Sequence, residues 1–190
     1  MNVKNTNQKV CSFFGHRKIK LNKEILKEKT EKVIKELIIN YEVRTFLFGG
    51  HSEFDELCQT IVSELKIDYP NIKKISYTCR NESCHLESKK DYLKKIYSFL
   101  DEQHNILCFV DEEFEYKNKY ISGKANYVER NQAMIDDSDY CVFYYDEQYK
   151  PQMRKHSKTA ITFYQPKSGT KLAYDYAKQK KKILINVNKL

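Results

Sequence analysis

The sequence predicts an α/β domain built on a mostly parallel sheet. Three observations lead there. Short apolar runs alternate with longer stretches whose apolar residues recur every three or four positions, the pattern of successive βα units. Glycines fall directly after the apolar runs, at Gly15, Gly49 and Gly50. The length of 190 residues suits one well-filled core. In chain order the expected strands are residues 10–14 (VCSFF), 45–48 (TFLF), 74–78 (KISYT), 106–110 (ILCFV), 140–144 (YCVFY) and 182–186 (KILIN). The expected helices are residues 23–39, 54–65, 89–102, 125–137 and 170–180. In the first, Ile25, Val33 and Leu37 mark a single buried face, with Lys and Glu opposite.

Hydrophobic residues make up 41% and charged residues 32% of the chain, a balance that excludes disorder. Residues 1–190 are therefore expected to form a single domain. No apolar run approaches the ~20 residues of a membrane span, and the opening MNVKNTNQKV lacks the apolar centre of a signal peptide, so a cytoplasmic protein with no membrane partner is expected. Cys11, Cys58, Cys79, Cys84, Cys108 and Cys141 lie mostly in apolar runs and suggest reduced, packed thiols. Cys79, Cys84 and His85 lack the spacing of a zinc site, so no metal is expected. The net charge of +8 permits attraction to phosphate-rich partners. There are no internal repeats, and Pro70, Pro151 and Pro166 punctuate loops. Residues 146–167 form the longest irregular stretch, which suggests a functional or mobile loop.

In an open parallel sheet, ligands bind beyond the carboxyl ends of the strands, so the corners that follow strands carry the functional reading. In the first, Gly15 removes side-chain bulk and His16 and Arg17 supply donors, Arg17 being suited to a bidentate phosphate contact. The alternative is a plain turn with a solvated Arg17. At the second, Gly49 and Gly50 precede Ser52, the expected cap of the next helix, where free N–H groups and the helix dipole favour an anion. Asp55 completes a capping box with Ser52 or accepts from ribose hydroxyls. At the third, Ser168, Gly169 and Thr170 open a helix with two hydroxyls and exposed N–H groups, the bland alternative being an ordinary cap. Arg130 and Asn131, inside the preceding helix, reach the same crevice if its N-terminal half faces it.

The segments FFGHRKI, FGGHSEFDELC, YVERNQAMIDDSDYCVFYYD and QPKSGTKLAYDYAKQKKKILIN resemble the SLOG superfamily, the SMF/DprA and LOG group, nearest its YpsA-like branch, over nearly the whole chain. The resemblance implies a Rossmann-like three-layer α/β/α domain that binds a nucleotide or nucleotide-derived ligand, with Gly49, Gly50, Phe54, Asp55, Ser168, Gly169 and Thr170 as contacts. Glu53 stands where many members carry a further Gly. LOG enzymes of the superfamily release a base from a nucleoside monophosphate. Glu129, Arg130, Met134, Gly169 and Thr170 fit their signature, but its final Glu falls on Ala173, which supplies no acid or base.

The expected function is a ligand-binding module, with a nucleotide or ADP-ribose-like compound as partner and no required cofactor. An N-glycoside hydrolase is the alternative, with Arg130 and Asp55 as its catalytic candidates and Asp146 or Asp175 as substitutes for the missing acid. A further alternative is single-stranded nucleic-acid binding, in keeping with the positive charge and fifteen tyrosines. Against it, the basic residues spread over helices, and the densest run, Lys178 to Lys182, sits at a helix end where cations complement the dipole. A homo-oligomer is left open.

Overall fold

Strand β1 (Lys9–Gly15) is apolar on both faces, a pattern that belongs to a strand covered on both sides. Cys11 and Phe13 face one layer of helices, while Val10 and Phe14 face the other. The computed structural model describes residues 8–50, 52–79, 110–117, 119 and 124–190. The chain continues through α1 (Lys23–Asn40), β2 (Val43–Phe48), α2 (Glu53–Asp68), β3 (Lys73–Cys79), β4 (Glu112–Tyr116), α3 (Lys124–Asp137) and β5 (Tyr140–Tyr144). It ends with β6 (Arg154–Lys155), β7 (Phe163–Tyr164), α4 (Gly169–Gln179), β8 (Ile183–Asn186) and a turn of 3₁₀ helix at Val187–Lys189.

Six strands form one sheet in the order β4-β3-β2-β1-β5-β8, with every pairing parallel. Helices α1 and α2 cover one face over Phe13, Phe46, Phe48 and Val142. Helices α3 and α4 cover the other over Phe14, Leu47, Tyr77 and Phe143. This is the expected Rossmann-like three-layer α/β/α arrangement. β1 has β2 on one side and β5 on the other, so strand order reverses there and a crevice opens beyond the carboxyl ends of these strands.

Helix α1 is capped by Asn22, whose side chain accepts from the N–H groups of Glu24 and Ile25. Its buried stripe is Leu26, Thr30, Val33, Ile34, Leu37 and Ile38, whereas Ile25 is 52% exposed. Leu26 therefore takes the place expected for Ile25: at ~100° per residue, a one-residue shift turns a side chain out of the stripe.

The strand expected at 106–110 lies outside the described residues except for Val110, which is irregular. Among the described residues the edge of the sheet is Glu-Glu-Phe-Glu-Tyr of β4, whose charge hid it from a reading based on apolar runs. An edge strand tolerates that charge because water reaches it, and Lys73 pairs with Glu112 across the ladder at 3.2 Å. The helix expected at 89–102, together with Cys84, His85 and Cys108, also lies outside the described residues. Within the stretch read as irregular, β6 and β7 form a small antiparallel ribbon.

Among the described residues no helix is long and apolar enough to cross a membrane. The run at the end of α4 is tied into the fold: Lys180 pairs with Asp136 at 3.2 Å, and Lys182 Nζ donates to the Asp136 and Ser138 carbonyls at 2.9 and 2.6 Å.

Candidate functional site

Gly15 ends β1 directly beneath Phe54, the second residue of α2. A Cβ at Gly15 would stand 2.7 Å from the Phe54 Cγ and Cδ1. The glycine therefore admits a neighbouring side chain, and Phe54, fully buried, fills the space that the sequence reading assigned to a ligand. Glu53 ties the two corners together. Its N–H donates to the Arg17 carbonyl at 3.1 Å, and its Oε2 accepts from the Ile19 N–H at 3.1 Å. That bond, with Lys23 beside it, lowers the Glu53 pKa. The carboxylate that replaces the family glycine is thus a latch between loops. Arg17 itself is exposed.

His16 is buried at the end of β1, with its ring 4.1 Å from that of Tyr149, centroid to centroid. Its Nε2 accepts from the Asp146 N–H at 3.1 Å, which requires a neutral ring at that nitrogen. Burial lowers the His16 pKa, and Lys20 acts in the same direction against the opposing pull of Asp146. The unfolded ring, near 6.5, then binds protons more readily than the folded one. Its stabilising contribution is complete above that value and is lost as the pH falls through the lowered folded pKa. His16→Gln is expected to flatten this component of urea-unfolding stability measured between about pH 7.5 and 5, which for one group cannot exceed about 1.4 kcal/mol per pH unit. An unchanged pH profile in the variant would remove His16 as its source.

The Gly49-Gly50 corner is closed by two side chains. The Asp55 carboxylate accepts from the Gly49 N–H at 3.1 Å and from the Gly50 N–H at 2.7 Å. The N–H groups expected to face an anion are therefore turned inward. Ser52 caps α2 as expected, its Oγ accepting from the Asp55 N–H at 3.1 Å, but the Asp55 carboxylate turns to the glycines. On the opposite side, buried Arg130 of α3 donates from Nη1 to the Gly49 carbonyl at 2.6 Å, and its Nε and Nη2 reach Asn131 Oδ1 at 3.3 and 3.1 Å. Gly49 lies so near the guanidinium that a Cβ would meet Nη2 at 2.9 Å.

At the third corner Ser168 takes the capping role given as the alternative to an anion site. Ser168 caps α4 through Oγ, which accepts from the Lys171 N–H at 3.0 Å, and Thr170 is buried. Gly169 faces open space. Between α3 and α4 lies a shallow hollow lined by Val128, Asn131, Gln132, Gly169, Leu172 and Ala173. Asn131 and Gly169 thus share one surface. The hollow's enclosed volume of about 10 Å³ has room for about one water and is far below the ~300 Å³ at which ligand pockets begin, so a nucleotide bound here would lie largely outside it.

Of the acids weighed for a LOG-like reaction, Asp55 is engaged by the glycines, Asp146 Oδ1 accepts from Gln148 at 2.8 Å, and Asp175 pairs with Lys171 at 3.5 Å. Ala173 is buried against the hollow.

The sequence reading missed the tyrosines at the end of β5. Tyr144 Oη accepts from the Lys20 and Leu21 N–H groups at 3.1 and 3.4 Å, holding the loop after β1. Tyr145 packs on Tyr174 with ring centroids 4.7 Å apart and receives Lys171 Nζ at 3.5 Å. Two successive tyrosines ending a buried strand were the available signal, because strand alternation sends one ring to each face.

A Rossmann-like α/β protein with its crevice at the β1/β5 switch is the class that these features define. The family model described as YspA SLOG family matches residues 10–154, and the chain belongs to that YpsA-type SLOG family. The match ends where the β6–β7 ribbon begins, so α4 lies beyond it. No curated protein sequence matches the chain. Among solved structures, DNA processing protein A (DprA) from Streptococcus pneumoniae is similar in fold, with a TM-score of 0.50 and 12% identity. The similarity covers 93% of this chain and 49% of that one, so this chain spans about half of the DprA length.

Proposed function

We propose that the protein is a cytoplasmic module that binds a nucleotide or nucleotide-derived compound, ADP-ribose-like molecules included, at the carboxyl ends of β1, β2 and β5. One observation carries the reading: α4 opens beside Asn131 with Gly169 in open space. First-turn N–H groups have no acceptor within their own helix, and a glycine there lets a phosphate approach the backbone closely. The switch-point topology supports the same location. Binding, not hydrolysis, is proposed, because Ala173 and the engaged acids give no general acid an assigned place. A sensing role is included in the proposal: the bond from Asp146 to His16 would couple the segment after β5 to the occupied crevice.

The test is mass spectrometry of the denatured extract of natively purified protein, followed by calorimetry with nucleoside monophosphates, dinucleotides and ADP-ribose. A co-purifying nucleotide and measurable heat are expected. Gly169→Leu, whose Cβ meets nothing, should keep the wild-type melting temperature and weaken that ligand by at least about tenfold, ~1.4 kcal/mol. No heat with any member of the panel overturns the reading.

A further inference from the structure

Residues 148–167 leave β5 and return to α4 through the β6–β7 ribbon, in which Arg154 lies opposite Tyr164 and Lys155 opposite Phe163. The segment contains Lys150, Arg154, Lys155, Lys158 and Lys167 and no Asp or Glu. All five cations are exposed, and among the described residues none forms an ion pair. Several lysines elsewhere are paired, among them Lys27 with Glu64, Lys180 with Asp136 and Lys189 with Glu147. At the root of the ribbon, Lys124 Nζ donates to the Lys167 carbonyl at 2.5 Å. Burial lowers the Lys124 pKa, and the nearby charge of Arg154 adds to the shift. Positive charge is thus concentrated here without compensation.

The ribbon also exposes apolar and aromatic surface. Ile161 is 94% exposed, Phe163 55%, Met153 54% and Tyr164 39%. His156 stacks on Tyr164 with centroids 4.5 Å apart, and Lys155 Nζ lies 5.2 Å from the Phe163 centroid. Single exposed apolar residues are ordinary, but four on one short ribbon among unpaired cations call for a partner.

We propose that this ribbon is a docking arm for single-stranded nucleic acid, its cations meeting phosphates and Phe163 and Tyr164 offering rings to unstacked bases. The register favours this over a lipid surface. Cross-strand pairing puts a cation beside an aromatic ring on each face, whereas an element lying in a membrane interface segregates its cations from its apolar side. A duplex offers the rings no free base face. The inference stands whether or not the crevice holds a nucleotide.

The experiment is fluorescence anisotropy of fluorescein-labelled oligothymidylate and oligouridylate with the full chain over a salt series. Affinity should fall with log salt at a slope of about −2, the value for roughly three phosphates neutralised on a single strand. Combined Arg154→Glu, Lys155→Glu and Lys158→Glu should leave the melting temperature unchanged and weaken binding at least about tenfold. Phe163→Ala should weaken it about tenfold while leaving the salt slope unchanged. No binding to either strand at low salt overturns the proposal, as does full affinity in the triple variant. Binding to phosphatidylserine vesicles without binding to either oligonucleotide would assign the arm to membranes instead.

Discussion

Gly15→Ala is expected to destabilise the protein by about 3 kcal/mol and to lower its melting midpoint by roughly 6–12 °C. The added methyl would meet Phe54 at its Cβ and, at 2.7 Å, at Cγ and Cδ1. Phe54 has little room to withdraw: its side chain is fully buried, and its ring lies 5.7 Å from that of Tyr144. The backbone beside it is held by the Glu53 N–H on the Arg17 carbonyl, and β1 is fixed between β2 and β5. Trimming the ring would relieve only part of the clash, because the Phe54 Cβ remains. In urea unfolding of wild type, Gly15→Ala, Phe54→Ala and the double variant, the two changes should therefore couple favourably without Gly15→Ala becoming neutral. A Gly15→Ala protein within about 0.5 kcal/mol of wild type would show that the β1–α2 contact yields after all.

This glycine also marks the limit of what the sequence made legible. A Gly after an apolar run announces a corner at the carboxyl end of a strand, and the structure places Gly15, Gly49 and Gly50 there. The sequence does not say what approaches the glycine. For Gly15 it is a phenylalanine some forty residues along the chain, and for Gly49 it is Arg130, a long-range partner that local pattern does not encode. Most strand and helix positions followed from period and punctuation, because buried strands and amphipathic helices imprint both on their residues, whereas the strand order depends on long-range pairing that local pattern does not carry. β4 escaped because an edge strand needs no apolar run, and the ribbon at 154–164 escaped because two-residue strands leave no period to read. Asp55 shows the intermediate case: its position three residues after Ser52 revealed the cap, while the direction of its carboxylate depended on a loop that only the folded chain defines.

Asp55→Asn tests that direction, with an expected cost of about 2–3 kcal/mol. The native carboxylate offers one oxygen to each glycine N–H, at 3.1 and 2.7 Å. An asparagine offers one oxygen and one NH₂ group, so in either orientation a glycine donor faces another donor. The loop has no easy alternative, since Gly50 sits at φ +73° and the Gly49 carbonyl is held by Arg130 at 2.6 Å. Gly49 is thus gripped at both ends of its peptide units, its N–H by α2 and its carbonyl by α3. The two grips share one short loop, so Asp55→Asn and Arg130→Ala together should cost less than the sum of the single changes. Hydrogen exchange at the Gly49 and Gly50 amides should accelerate in Asp55→Asn, because these are the bonds that the substitution removes. Unchanged stability with unchanged exchange would refute the clamp. Unchanged stability with weakened nucleotide affinity would instead move Asp55 from holding the loop to touching the ligand, which separates the two roles that the sequence alone left open.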